Sequence, residues 1–269
     1  MKTILSLFIL ILFTIPNAHA NAHHPNHSFY LINIDTGQII DDENSDKKIY
    51  IASITKLMTL DIVLSELESG ILKKTDMITI SKDASHQPKS HLGLKAGSKI
   101  SVDDAIKAVT VYSSNDIAYA LAEHIMANTD TFVMLMNYQA KNYGMNHTQF
   151  FNPTGLPGDD DEHTNYSTDK DLALLYRHII QSHKDNLAYF SIPEWSYKGR
   201  DYYNTNHLVG AFQGLYFSKT GYIDLSGYNL ITAVERYGIQ YLVIISGCNT
   251  VSERDYVISS KLKKAFKIT

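Results

Sequence analysis

Ser53 and Lys56 stand three residues apart in Ala52-Ser53-Ile54-Thr55-Lys56-Leu57. On a helix that spacing puts a hydroxyl and an amine on one face, within reach of each other. A serine hydroxyl is a weak nucleophile until a base takes its proton, and a lysine that has lost its own proton can serve as that base. The pair is therefore the smallest equipment for attack on an acyl carbon. Taken alone it is a common pattern, for Ser45/Lys48, Ser167/Lys170 and Ser260/Lys263 have the same spacing. A solvated helix face explains any one of them. Two further motifs single out Ser53. Ser113-Ser114-Asn115 is the one Ser-x-Asn of the chain, and Lys219-Thr220-Gly221 is its one Lys-Thr-Gly.

These residues need elements to hold them. From Ser53 to about Leu67 the apolar positions Leu57, Leu60, Leu64 and Leu67 recur at helical spacing, with Gly70 beyond the end, so the Ser-x-x-Lys pair falls on a helix. Further helices are predicted from Ser101, a plausible N-cap, over Asn115–Ala127, over Asp130–Tyr143 closed by Gly144, and from a Ser167 cap to about Gln181. Asn152–Gly158 reads as loop. Strand patterns lie at the two ends. Phe29–Ile34 turns through Asp35-Thr36-Gly37 into Gln38-Ile39-Ile40, and Leu215–Lys219, Tyr228–Arg236 and Gln240–Ser246 follow in the last third, with Tyr237-Gly238 as a hairpin turn. A helix over about Ser252–Phe266 closes the chain. Strands at both ends with helices between predict an α+β domain whose antiparallel sheet is assembled from both termini.

Ser-x-x-Lys, Ser-x-Asn and Lys-Thr-Gly in this order form the pattern of serine enzymes that react with penicillin. The chain resembles the D-alanyl-D-alanine carboxypeptidases and endopeptidases among the low-molecular-mass penicillin-binding proteins. Asp35–Gln38, Ala52–Thr59, Asn152–Leu156 and Tyr166–Thr168 look like segments of that family in their expected places, and the resemblance runs from about Phe29 to the C-terminus. It implies a β-lactamase/DD-peptidase-like fold, with a sheet of about five antiparallel strands and a helical cluster on one side. It also implies a hydrolase that trims or cuts D-Ala-D-Ala stem peptides of peptidoglycan, with β-lactams as covalent inhibitors. Ser53 would be the nucleophile, Lys56 its base and Ser113 a proton relay toward the leaving amine. Asn115, Lys219, Thr220 and Gly221 would bind substrate, and the backbone N–H groups of Ser53 and Tyr222 would form the oxyanion hole. A lysine base must be neutral near pH 7 against an ordinary pKa of ~10.4. Lys219 is the expected second cation that disfavours its charge, and burial would act in the same direction. Gly221 is expected to let its strand approach the substrate. The longer carboxypeptidases usually carry histidine after Lys-Thr-Gly, so Tyr222 is a departure. The mechanism needs no metal and no cofactor, and His86, His91 and His163 lack the clustering that zinc peptidases require.

Composition agrees with an exported enzyme. With 44% hydrophobic residues and 19% charged the chain is globular, and its net charge of −4 argues against a nucleic-acid binder. Met1–Lys2, the apolar run Ile4–Ile15, Pro16 and Ala18-His19-Ala20 read as a signal peptide over 1–20, with an alternative cleavage after Ala22. The run is too short for the ~20 residues of a bilayer crossing. Residues 21–28 then form a flexible leader, 29–269 the peptidase domain, and the location is periplasmic or extracellular. The one cysteine, Cys248, excludes an internal disulfide. The basic C-terminal end, Lys261 to Lys267, allows at most peripheral membrane contact. Ending after the closing helix, the chain is most similar to the short endopeptidase branch, and Asn204–Leu208 looks like a segment of that branch. Two rival readings remain. A β-lactamase needs a carboxylate to activate the deacylating water, for which Glu162 with Asn165 is a poor match in spacing. A penicillin-binding sensor would acylate without turnover.

Overall fold

The computed structural model describes residues 27–267. The signal-peptide reading of 1–20 and most of the 21–28 leader lie outside the described residues. The first hairpin begins one residue earlier than its sequence pattern, with strand β1 over Ser28–Asn33 and β2 over Ile39–Glu43. A short β3, Ile49–Tyr50, leads into a 3-10 turn over Ala52–Thr55 and helix α1, Lys56–Glu68. Next come β4 (Met77–Thr79), a single helical turn α2 (Lys82–Ser85) and β5 (Lys99–Ser101), of which β4 and β5 pair with each other. Three helices follow: α3 (Val102–Val111), α4 (Asn115–Met126) and α5 (Thr129–Asn142). Strand β6, Tyr166–Ser167, pairs with β3 and precedes α6, Asp169–Ser182. A hairpin of β7 (Glu194–Tyr197) and β8 (Arg200–Tyr203) comes before the long strands β9 (Leu215–Ile223), β10 (Gly227–Arg236) and β11 (Ile239–Cys248), and α7 (Val251–Ala265) ends the domain.

The main sheet has the order β2-β1-β11-β10-β9, antiparallel throughout. The first and last strands of the described residues therefore meet in the sheet, where β1 lies beside β11. The apolar runs in β10 and β11 do not alternate because both faces are covered. Ile231, Ala233, Leu242 and Ile244 face the helical core, whereas Leu230, Val234, Val243 and Ile245 face α7 through Ile258 and Leu262. Helix α1 crosses the middle of the helical side. Its residues Leu57, Met58, Leu60, Ile62, Val63 and Leu64 are all buried, together with the polar Lys56, Thr59 and Asp61. A helix apolar all round belongs in a core, and this places the Ser-x-x-Lys pair at the junction of the helices and the sheet.

Local signals explain most boundaries. The Ser101 hydroxyl accepts from Asp104 N at 3.1 Å and starts α3 as expected. The cap of α6 is Thr168, accepting from Asp171 N, rather than Ser167, which is used in β6. Strand β9 continues four residues past the predicted end at Lys219. Lys-Thr-Gly consequently sits inside a strand, bonded to β10 on one side and at the sheet edge on the other. Among the described residues no helix is long and apolar enough to cross a membrane.

Candidate active site

The turn that carries Ser53 is held by backbone rather than by a side-chain cap. Ala52 has φ of +46°, a strained conformation for a residue with a Cβ, and it folds the chain from β3 into α1. Gly155 packs against this turn so closely that a Cβ there would lie 1.9 Å from the Ala52 carbonyl oxygen. The loop bearing Gly155 is tied by Asn152, whose Oδ1 accepts from the N–H groups of Thr154 (3.1 Å) and Gly155 (2.7 Å).

Lys56 is fully buried beneath Ser53. Its Nζ lies 2.8 Å from Ser53 Oγ, 2.7 Å from Asn115 Oδ1 and 2.5 Å from the Thr154 carbonyl oxygen. The last two atoms only accept. An ammonium could donate to all three oxygens, whereas a neutral amine has two hydrogens for the acceptors and a lone pair left for the Ser53 hydroxyl; the surroundings of the amine favour the second. Burial first, and then the Lys219 charge, hold the Lys56 amine well below the ordinary lysine range, against the opposing pull of Asp116. Both causes expected from the sequence therefore act on Lys56, with burial the larger.

Ser113 and Lys219 form the facing wall. Ser113 adopts φ of +60° in the turn between α3 and α4, and its Oγ accepts from Lys219 Nζ at 2.8 Å. Lys219 also donates to the Thr220 carbonyl at 2.9 Å. Burial, with the Arg254 guanidinium second, brings Lys219 down to about 7. Thr220 Oγ1 lies 2.6 Å from Thr205 Oγ1. Gly221 is also needed within the chain itself. A Cβ at this position would meet the Ile51 carbonyl oxygen at 2.6 Å and Ile54 N at 3.2 Å, so the glycine lets β9 approach the nucleophile turn itself. Ser53, Ser113, Asn115, Thr220, Gly221 and Tyr222 all line one cleft of about 290 Å³, with Lys56 and Lys219 buried behind Ser53 and Ser113. The Tyr222 side chain is exposed at the rim and leans on Tyr228, ring centroids 4.3 Å apart.

A model of the D-alanyl-D-alanine carboxypeptidase peptidases matches residues 15–249. The chain belongs to this family. It is 30% identical over 254 residues to D-alanyl-D-alanine carboxypeptidase DacF of Bacillus subtilis, an alignment covering 90% of this chain and 62% of that protein. It is 30% identical over 214 residues to the D-alanyl-D-alanine endopeptidase of Escherichia coli, covering 76% of this chain and 65% of that one. The chain thus spans less than two thirds of the length of these curated relatives. Among solved structures, DacD from Francisella tularensis superposes with a TM-score of 0.84 at 29% identity over 92% of this chain and 71% of that one. Penicillin-binding protein D2 from Listeria monocytogenes, in its ampicillin-bound form, superposes at 0.76 and 31% identity over 88% and 95%. The fold implied by the family resemblance, with its five-stranded antiparallel sheet, is the one observed.

In this carboxypeptidase-family site several residues carry no sequence signature. The Thr154 carbonyl beside Lys56 is backbone and leaves no trace in residue type. Asp116 Oδ1 accepts from Leu92 N (3.1 Å) and from the Ser114 hydroxyl (2.5 Å), fixing the segment before α4. Arg254 reaches the cleft from α7, buried, with its Nε donating to Asp255 Oδ1 at 2.9 Å. An arginine in a helix 35 residues beyond Lys219 can be placed at the site only by the packing of α7 on the sheet. Asn165 proves to be a loop tie, its Oδ1 accepting from Phe151 N at 2.7 Å and its Nδ2 donating to Thr55 Oγ1 at 2.9 Å. Glu162 is exposed in a 3-10 turn over Asp161–His163 and does not line the cleft.

Proposed function

We propose that this chain is a serine peptidase of D-Ala-D-Ala peptides, working on peptidoglycan stems outside the cytoplasm through an acyl-enzyme on Ser53. The observation that carries the reading is the buried Lys56 amine, 2.8 Å from Ser53 Oγ, where burial and the Lys219 charge favour its neutral form. In the first step Ser53 Oγ attacks the carbonyl carbon of the scissile amide and its proton passes to Lys56 Nζ. Negative charge then gathers on the carbonyl oxygen, where the N–H groups of Ser53 and Tyr222 receive it. The C–N bond breaks as the leaving amine takes the proton held by Lys56, passed on through the Ser113 hydroxyl, which Lys219 orients by its 2.8 Å hydrogen bond, and Lys56 is neutral again. Water attacks the resulting ester, Lys56 again accepts the proton and returns it to Ser53 Oγ as the ester C–O bond breaks, and the shortened peptide leaves with Ser53 and the neutral Lys56 restored.

Binding follows from the free edge of β9. An extended peptide can add to that edge as a strand, with Asn115 reaching over it from α4. The terminal carboxylate would lie against Lys219, Thr220 and Arg254, and its negative charge favours the protonated form of Lys219. The same cleft would take a β-lactam, whose opened ring stays attached to Ser53 as a stable ester. Export by a signal peptide over residues 1–20, ahead of a leader to 28 and a peptidase domain over 29–269, is part of the proposal, since the substrate lies beyond the cytoplasmic membrane.

The test is mass spectrometry of purified residues 21–269 with a penicillin, with a D-Ala-D-Ala pentapeptide and with cross-linked muropeptide dimers. A penicilloyl adduct on Ser53 with loss of D-alanine makes the chain a carboxypeptidase, and dimer cleavage makes it an endopeptidase. An adduct with turnover of neither substrate replaces the peptidase by a sensor, and no adduct overturns the mechanism.

A further inference from the structure

A second polar cluster lies away from the Ser53 cleft, in the helical core. Asp61, five residues after Lys56 in α1, is fully buried. Its Oδ1 is 3.0 Å from Nε2 of His183, the C-cap of α6, and 3.5 Å from Nε2 of His178, five residues earlier in that helix. The donor atoms of the three residues all lie within 4.8 Å of one another. Each residue is also oriented from behind. The Tyr143 hydroxyl donates to Asp61 Oδ2 at 2.8 Å, which turns Oδ1 toward the histidines. Glu68 Oε2 is 2.9 Å from His183 Nδ1, and Glu68 Oε1 accepts from Asn186 Nδ2 at 3.0 Å. The His178 ring is stacked on Tyr143, centroids 3.9 Å apart and planes 20° apart.

We propose that Asp61, His178 and His183 form a structural binding site for a divalent transition metal of the zinc class. Two imidazole nitrogens and one carboxylate oxygen are the donor set such an ion takes. Tetrahedral ligands at bond lengths of ~2.0–2.1 Å stand ~3.3 Å from one another, and the distances of 3.0 and 3.5 Å from Asp61 Oδ1 bracket that value. The Glu68–His183 contact is the carboxylate–histidine pairing that fixes a ligand ring and makes its metal-facing nitrogen more basic. His178 is the cluster's route to solvent, with 31% of its side chain exposed, so water can enter and complete four-coordination. A bound ion would clip α1, which begins with Lys56, to the end of α6, beside the end of α5 that carries Tyr143. Its role is to hold the core, with no part in the acyl transfer. The competing occupant of this cluster is a proton on His183, shared between Asp61 and Glu68. That arrangement leaves His178 with only the longer contact to Asp61 and one to the Ser182 hydroxyl at 3.4 Å. His178 therefore separates the two.

The full chain, prepared without an affinity tag and stripped with a chelator, is titrated with Co²⁺ and then Zn²⁺. One equivalent of Co²⁺ is expected to give the intense visible bands of four-coordinate cobalt, and Zn²⁺ to abolish them. At a hundredfold excess over Kd, Zn²⁺ should raise Tm by about 5–10 °C. His178→Gln should remove both the bands and the Tm rise, while its melt in chelator stays within about 2 °C of the parent, because the residue is part-exposed. His23→Ala with His24→Ala, changing the histidines ahead of the domain, should leave the bands intact. Absence of stoichiometric binding overturns the site. So does binding that survives His178→Gln, or that disappears with His23 and His24.

Discussion

Gly221→Ala would direct one methyl group into the backbone of the nucleophile turn. The new Cβ would lie 2.6 Å from the Ile51 carbonyl oxygen, 3.2 Å from Ile54 N and 3.3 Å from Ala52 Cβ. Unstrained contacts need about 3.4 Å or more, so β9 and the turn must separate by nearly 1 Å. Backbone lies on both sides, and no flexible side chain can absorb the change. The stability cost is that of overpacking, about 1–3 kcal/mol. The catalytic cost is larger, because Ser53 sits on the displaced turn and a misplacement of ~1 Å is worth ~100-fold in rate. That corresponds to about 2.7 kcal/mol of barrier. The assay is the second-order rate of acylation by a fluorescent penicillin, beside a thermal melt. Gly199→Ala is the control, since no atom lies within 4 Å of its added Cβ. Its φ of +76° costs some stability but leaves the site untouched. A folded Gly221→Ala protein that acylates within about threefold of the parent would refute the reasoning, for the cost of ~1 Å at this turn would then be far below ~100-fold.

Ser53→Ala should abolish β-lactam labelling and peptide hydrolysis with Tm nearly unchanged; residual turnover in that variant would sink the acyl-enzyme. The profile of kcat/KM against pH should be bell-shaped, rising as Lys56 loses its proton and falling as free-enzyme Lys219 loses its own near about 7; Lys219→Arg should move the alkaline limb upward. Stability should rise with pH between about 7 and the ordinary lysine pKa, because the unfolded chain holds a proton that folded Lys219 has lost. Melts of Lys219→Met should show a shallower rise over that window. Arg254→Gln should weaken kcat/KM for peptides with a free terminal carboxylate by about 10–100-fold, the worth of a charge-assisted hydrogen bond. A C-terminally amidated analogue should react equally with both proteins, and an equal loss on the two substrates would remove Arg254 from carboxylate binding.

What was legible in the sequence was whatever is encoded by residue type at fixed spacing. Three residues of helical or 3-10 geometry are enough to bring Ser53 and Lys56 together, so their 2.8 Å contact was implied by the motif. Caps such as Ser101 and the short apolar runs bounded by turn residues at both ends were readable for the same reason, since each depends on near neighbours. The position of Lys-Thr-Gly inside β9 was missed because strand ends are decided by pairing, and β10 bonds the chain as far as Ile223.

The chemistry of the bases belongs to the tertiary structure alone. Lys56 is held low chiefly by burial, which α1 provides by crossing the core, and Lys219 adds its charge from a residue 163 positions later. Arg254 reaches the cleft only because α7 covers the outer face of the sheet, and Gly221 meets Ile51 only because β9 crosses that turn. Asp61, His178 and His183 have no shared motif, yet two helices and a half-buried tyrosine bring their donor atoms within 4.8 Å. Residue types set which groups could react; desolvation and approach between distant segments set which of them are poised to do so.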